Sequence, residues 1–160
     1  MLRTIVVAVG LLCAFTTPAW AFKDEPLGYG EARFTMSVEQ VKKVYPQITL
    51  LEAPKVGTTY QSAGIIYALP AQKLAGFNDP VNVTFRFSED QLWQVRFEVS
   101  ERDAAVMVDV LTKRHGEPTA GTTNPAWVGE QVAIRALPQL RSFEIVYRSI
   151  SVPTPMPTPN

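Results

Sequence analysis

Residues 81–99 contain two stretches in which apolar and polar side chains alternate, and this pattern constrains the fold more than any other feature of the sequence. Residues 81–87 and 93–99 each place an apolar side chain at every second position. A period of two is typical of a strand buried on one face, and residues 88–91 suit a short turn. The pattern therefore predicts an antiparallel hairpin whose aromatic side chains face a core: Phe85, Trp93 and Phe97.

Two other segments have helical patterns. Ser37 and Gln40 have the spacing of a capping box, and the apolar residues that follow predict a helix of about nine residues ending before Pro46. A second helix is expected to begin at residues 100–103 and to run to His115, where Gly116 terminates it. Its apolar stripe consists of Ala104, Met107, Val108 and Leu111.

Shorter apolar runs predict the remaining strands, at residues 31–35, 48–51, 65–69, 126–128, 132–137 and 142–149. Two helices and about seven strands, mostly in hairpin order, predict an α+β fold. We expect an antiparallel sheet with two helices packed on one face. Residues 52–64 and 70–80 are polar connections with Gly and Pro, and we expect them to be long loops that frame the other face of the sheet.

The first 21 residues have the layout of a secretory signal, with Arg3 near the start, an apolar run, and a small-x-small site at residues 19–21. Cleavage there leaves 139 of the 160 residues, which fits a single α+β domain at 22–150. The segment 151–160 is rich in proline and is expected to be a disordered tail. We expect a periplasmic or secreted protein, without a transmembrane segment after signal cleavage because no later apolar run reaches ~18 residues.

Composition excludes several classes of site. The only cysteine, Cys13, lies in the signal segment, so the mature chain would have no disulfide and no thiol nucleophile. The only histidine, His115, excludes sites with two imidazoles, and the helix dipole already accounts for a cation at its position. Without Arg3, 14 basic residues face 15 acidic ones, which gives no basic surplus for nucleic acid. We expect no cofactor, no metal and no nucleic-acid partner.

Several polar side chains share the outward side of the predicted strands and are the main binding candidates. We call this set the arginine face: Arg86, Gln94, Arg96, Glu98, Arg135, Glu144 and Arg148. Arginine joins a planar head with many donors to a long apolar stem, which suits interfaces. Two interpretations stay open: a surface that docks a protein or an anionic envelope component, and a solvated face whose opposite charges offset each other.

Residues 24–30 and 34–41 resemble the opening of a group of small exported bacterial α+β proteins of unassigned function. The F-x-F strand at residues 85–87, the V-x-F strand at 95–97, the His-Gly-Glu-Pro step at 115–118 and a later tryptophan, Trp127, follow in the same order. This chain has Thr35 where the group has glycine and His115 where it has an aromatic residue. The helix-then-sheet arrangement is also similar to β-lactamase-inhibitor-like and outer-membrane-assembly lipoprotein modules. The resemblance implies an exported α+β protein and assigns no catalytic residue.

The sequence favours a non-enzymatic binding or protein-interaction module, with its partner and oligomeric state unspecified. One alternative is a small hydrolase that uses Glu98 and Glu144, which would need both carboxyl groups in one cleft. Another is an inhibitor of a secreted enzyme, which would need a protruding loop. Residues 28–30, Gly-Tyr-Gly, lack the third glycine of a nucleotide-binding loop and are predicted to form a turn.

Overall fold

A seven-stranded antiparallel sheet forms the framework of the protein. The computed structural model describes residues 22, 24–52 and 64–148, so the predicted signal segment, the predicted tail and residues 53–63 of the first long loop lie outside it. The described residues form nine strands: β1 (Gly28–Tyr29), β2 (Ala32–Arg33), β3 (Thr49–Glu52), β4 (Ile65–Gln72), β5 (Val81–Ser88), β6 (Gln91–Glu98), β7 (Ala126–Val128), β8 (Val132–Leu137) and β9 (Ser142–Tyr147).

The strands lie in the spatial order β3-β4-β5-β6-β9-β8-β7, while β1 and β2 pair only with each other. The α+β fold with an antiparallel sheet of seven strands is confirmed. The predicted strand at 31–35 is corrected, because only Ala32–Arg33 is extended and it lies outside the main sheet. β2 ends at Arg33, and Thr35 has a φ of 71°, which is incompatible with a strand.

The predicted hairpin of residues 81–99 is present as β5 and β6. Val83 pairs with Phe97 and Phe85 pairs with Val95, and all four side chains are buried in the core. The turn between the strands has a positive φ at both central residues, 50° at Glu89 and 59° at Asp90. This geometry is that of a two-residue hairpin turn whose twist matches the strands on either side.

Trp93 does not face the core, contrary to the sequence-based prediction. Arg86 pairs with Gln94 and Phe87 pairs with Leu92, so Trp93 is an extra residue in β6 and forms a β-bulge. Because of the bulge, the Trp93 side chain lies on the face of the sheet opposite to the one that the alternation predicts. Trp93 is buried but lies outside the core cluster, next to Arg86 on the other face of the sheet.

Three α-helices form among the described residues: α1 (Val38–Val44), α2 (Glu101–Ala104) and α3 (Met107–His115). The predicted capping box is present, since Ser37 Oγ accepts from the Gln40 N–H at 3.2 Å and Gln40 Oε1 accepts from the Ser37 N–H at 2.8 Å. A 3₁₀ turn, Pro138–Leu140, precedes β9. No helix of the described part is long and apolar enough to cross a membrane.

Both predicted helices differ in extent from the prediction. The first has seven residues, because Tyr45 leaves the helical conformation before Pro46, as the residue before a proline usually does. The second is two helices, separated at residues 105–106. There the Val106 N–H bonds to the Asp103 carbonyl at 3.2 Å, three residues back, which tightens the turn and reorients the chain.

Helices α1 and α3 cover one face of the sheet, as predicted. Val41 of α1 and Met107 of α3 are fully buried in one core with the inward side chains of β5, β6 and β8. We call this side of the sheet the helix face. The arginine face lies on its other side.

Candidate functional site

The centre of the arginine face is a row of three charged side chains on neighbouring strands. Glu144 of β9 pairs with Arg96 of β6 on one side and with Arg135 of β8 on the other. Glu144 is only 6% exposed. Its carboxylate accepts hydrogen bonds from Arg135 Nη2 at 2.6 Å and from the side-chain amide of Gln94. The carboxylate therefore offsets the charge of the arginines beside it.

Arg86 and Trp93 form a second contact on this face. The guanidinium of Arg86 lies over the indole of Trp93, 5.9 Å from the ring centroid, in a cation–π arrangement. Burial lowers the pKa of Arg86, Glu144 and Glu52 raise it, and Arg96 lowers it further. The carboxylates of Glu144 in β9 and Glu52 in β3, each two strands away from Arg86 in the sheet, therefore partly compensate its desolvation.

The seven predicted residues differ in exposure. Gln94 and Glu144 are buried, Arg86 and Arg96 are half-buried, and Glu98 and Arg135 are exposed. The exposed residue Arg148 lies just beyond β9, where its guanidinium donates to the Gly129 carbonyl. Six of the seven residues therefore lie on paired strands of the sheet, and two of those six are less solvated than the alternation suggests. Their role in binding a partner stays a prediction.

A cavity of about 540 Å³ lies on the helix face. Its floor is the sheet, with Phe97 of β6, Ile134 of β8, and Phe143 and Ile145 of β9. Pockets that bind small ligands are mostly apolar and fall in the range of roughly 300–1,000 Å³. The cavity has a volume within this range and an apolar floor, as such pockets do.

Four aromatic rings in contact line the cavity. Phe97 and Phe143, paired across β6 and β9, stack with ring centroids 4.4 Å apart. Phe77 stacks on Phe143 at 5.7 Å, and Tyr29 meets Phe97 edge-on at 5.3 Å. All four residues line the cavity, so aromatic side chains form much of its apolar lining.

One wall of the cavity is the N-terminal segment, residues 24–33. Glu25 fastens this segment to the turn between β7 and β8, since its carboxylate accepts from the N–H groups of Glu130, Gln131 and Val132. Gly129 makes this close approach possible, because a Cβ there would lie 2.1 Å from Glu25 Oε1. The wall is therefore held in place by a contact between distant parts of the chain.

A second wall is the loop after β4, with Lys73, Leu74, Ala75 and Phe77. The buried carboxylate of Asp103 in α2 accepts from the Asn78 N–H at 2.9 Å and from the Asp79 N–H at 2.8 Å. These hydrogen bonds lower the pKa of Asp103 to about 2, with the Asn78 N–H as the largest cause, although burial opposes the shift. Contrary to the prediction of a loop at 70–80, residues 70–72 belong to β4, and the loop that follows frames the helix face instead of the arginine face.

Helix α3 closes the third side with Val110, Leu111, Arg114 and His115. His115 is buried, and its imidazole meets the ring of Phe22 edge-on at 5.4 Å. Around the cavity the charged residues are mainly cationic: Arg33 from β2, Lys73 from the loop and Arg114 from α3, against the carboxylate of Asp24.

The carboxylate pair of the hydrolase alternative gains no support from this geometry. The Glu98 side chain is 53% exposed, and Glu144 is buried and hydrogen-bonded on the adjacent strand. Neither residue lines the cavity. In the described part of the chain, no group of three His, Cys, Asp or Glu side chains is arranged to hold a metal ion.

No local motif predicts the cavity from the sequence. Phe97 and Phe143 belong to the expected core. The turn predicted at residues 28–30 is corrected, because Gly28–Tyr29 form β1 and only Gly30, with a φ of 56°, lies in the turn to β2. The cavity forms because Glu25 holds the N-terminal segment and Asp103 holds the loop after β4 beside the two phenylalanines. Contacts across so many positions leave no periodic signal in the sequence.

No family model matches the chain, and comparisons with curated proteins and with solved structures found no significant match. The resemblance to small exported bacterial proteins therefore stays a prediction.

Proposed function

We propose that this chain is an exported binding module that takes a small, largely apolar ligand into the cavity on the helix face. The observation that carries the proposal is the cavity of about 540 Å³ bounded by four aromatic rings in contact. Burial of apolar ligand surface against such rings supplies roughly 25 cal/mol per Å². The module would therefore obtain its affinity mainly from apolar contact.

The fixed walls support the same proposal. Glu25 holds the N-terminal wall and Asp103 holds the loop wall, each through several hydrogen bonds to backbone N–H groups. A cavity that exists before the ligand arrives costs less ordering entropy on binding. These two carboxylates would therefore raise affinity without touching the ligand.

Export is the second part of the proposal and rests on the signal-like residues 1–21. Phe22, the first residue after the proposed cleavage point, is buried beside His115. Fractionation of expressing cells, followed by mass measurement of the recovered protein, tests this part. Recovery outside the cytoplasm with Phe22 as the first residue is expected, and retention of residues 1–21 in a cytoplasmic fraction would contradict it.

Binding is tested with N-phenyl-1-naphthylamine, a neutral apolar dye whose fluorescence rises in apolar surroundings. We expect saturable binding of one dye per chain, with competition by other apolar molecules. A failure of the dye to bind with saturation would overturn the proposal.

A matched pair of variants locates the site. Ala75 lines the cavity in the loop wall, whereas Ala71, at the end of β4, does not, and both residues are exposed. Ala75→Trp should fill the cavity mouth and weaken dye binding about tenfold or more, because the dye then loses apolar contact. Ala71→Trp should leave dye binding unchanged. Equal binding by both variants would place the dye elsewhere.

A further inference from the structure

Three cations from three separate elements meet at the cavity, which gives it a charge that the chain as a whole lacks. Arg33 lies in β2, Lys73 follows β4, and Arg114 lies in the last turn of α3. Lysine and arginine together number 15 in the sequence, and so do aspartate and glutamate. The positive charge at the cavity is therefore a local feature and does not reflect a basic protein.

These cations are not neutralised by neighbouring side chains. All three are exposed, and none forms an ion pair with another residue of the described part of the chain. The arginine face differs, because there Glu144 binds Arg135 directly. In the cavity lining, Asp24 is the one carboxylate among the described residues, against three cations. The positive charge around the cavity is therefore available to a ligand.

The interior of the cavity is unsuited to charge. Phe97, Ile134 and Phe143 form its floor and are each at most 5% exposed. Transfer of an ionised group onto such a floor is costly, whereas an apolar group gains by the same transfer. Long arginine and lysine stems pack along apolar walls and keep their charged heads in water. The ligand that fits both parts has an apolar body and an anionic end.

Tyr29 does not oppose an anion at physiological pH. Burial raises the pKa of its phenol above 10.0, and neighbouring Tyr45 raises it further. The hydroxyl of this lining residue therefore stays neutral, and it adds no negative charge beside the three cations.

We infer that the ligand is an amphiphilic oxyanion: an acyl chain or ring system that lies on the aromatic floor and ends in a carboxylate or phosphate held by Arg33, Lys73 and Arg114. This inference rests on the proposed function and adds the charge of the ligand to it. Exposed ion pairs are individually weak, so we expect three cations together to favour the anion by about tenfold, which corresponds to about 1.4 kcal/mol.

A series of ligands with the same ten-carbon chain separates the two proposals. Calorimetry with decanoate, decyl phosphate, decanol and decyltrimethylammonium, each below its micelle concentration, measures the effect of the head group alone. We expect the two anions to bind about tenfold more tightly than decanol, and the cation to bind more weakly than decanol. Whichever anion binds more tightly identifies the head group as carboxylate or phosphate.

Decanol binding as tight as decanoate binding would overturn the inference and leave the proposed apolar site intact. Absence of binding by all four ligands would overturn both.

Variants complete the test. The triple change Arg33→Gln, Lys73→Gln and Arg114→Gln should weaken decanoate binding about tenfold and leave N-phenyl-1-naphthylamine binding unchanged. The control is Lys113→Gln, which removes a charge from the same helix at an exposed residue outside the cavity lining, and decanoate affinity should not change. Decanoate affinity unaltered by the triple change would contradict the inference.

Discussion

The carboxylate of Asp103 holds Asn78 by three hydrogen bonds: the Asn78 N–H reaches Oδ1 at 2.9 Å and Oδ2 at 3.1 Å, and the Asn78 side-chain amide reaches Oδ1 at 2.7 Å. Asp103 lies in α2 and Asn78 in the loop after β4, so the contact joins two elements that are distant in the chain. It fixes one wall of the cavity.

Asp103→Asn should destabilise the protein at pH 7, since an amide cannot accept these hydrogen bonds with a full negative charge. The carboxylate has a pKa lowered from 3.8 to about 2, so its contribution to stability is present above pH 4 and is lost as the pH falls towards 2. Thermal unfolding of both proteins across this range should therefore show a difference that shrinks on acidification. A difference in melting temperature that stays constant from pH 7 to pH 2 would contradict this explanation.

Glu25→Ala should release the N-terminal wall. Its carboxylate accepts from the N–H groups of Gln131 at 3.0 Å and of Val132 at 3.4 Å, and bonds of this charged type contribute about 1–2 kcal/mol in total when partly exposed. We expect that loss in urea unfolding, together with faster hydrogen exchange of the two amides. Glu31→Ala, at an exposed glutamate whose carboxylate has no such contact in the described chain, should change stability by less than about 0.5 kcal/mol.

Thr35→Gly should stabilise the protein. Thr35 has a φ of 71°, a left-handed conformation that costs a residue with a Cβ roughly 1–2 kcal/mol. Glycine adopts it freely but loses more chain entropy on folding, which leaves an expected gain of about 0.5–1 kcal/mol. Thr35→Ala keeps the Cβ and is the control, since it should give no gain. Equal stability of the glycine and alanine variants would exclude backbone strain at this position.

Glu144→Gln should destabilise the arginine face by about 2 kcal/mol, because it leaves Arg135 without its carboxylate in a site where Glu144 is buried. Glu98→Gln is the matched change on the neighbouring strand. Glu98 is exposed and lies 3.9 Å from Arg96, so its loss should cost no more than about 0.5 kcal/mol. Chemical unfolding of the two variants measures both values, and similar losses would contradict the assigned role of Glu144.

The alternation of residues 81–99 is sufficient to predict the central hairpin, because side-chain direction in a strand depends only on parity. The alternation does not predict the side on which Trp93 lies. An inserted bulge residue changes which side of the sheet a side chain faces, and nothing in the local sequence pattern indicates the bulge. The helix break after Ala104 is similar. Residues 105–106 contain neither Gly nor Pro, so no local residue type marks the break.

The candidate site is still less accessible to prediction from sequence. The outward position of Arg96 and Glu144 follows from parity, whereas the ion pair of Glu144 with Arg135 depends on β8 lying beside β9. The cavity depends on Glu25 reaching the 129–132 turn, across more than a hundred positions. Such contacts are consequences of the assembled fold, and a local pattern carries no information about them.

The central claim is that ligand enters the cavity on the helix face, and methyl NMR of the protein titrated with N-phenyl-1-naphthylamine tests it most directly. The naphthyl ring should shift the methyl signals of Ile134 and Ile145, which line the cavity, through its ring current. Ile66 and Val146 lie on the other side of the sheet, beside Arg86 and Gln94 in the strand register, and their methyl signals should not move. Shifts at Ile66 and Val146 without shifts at Ile134 and Ile145 would contradict the account.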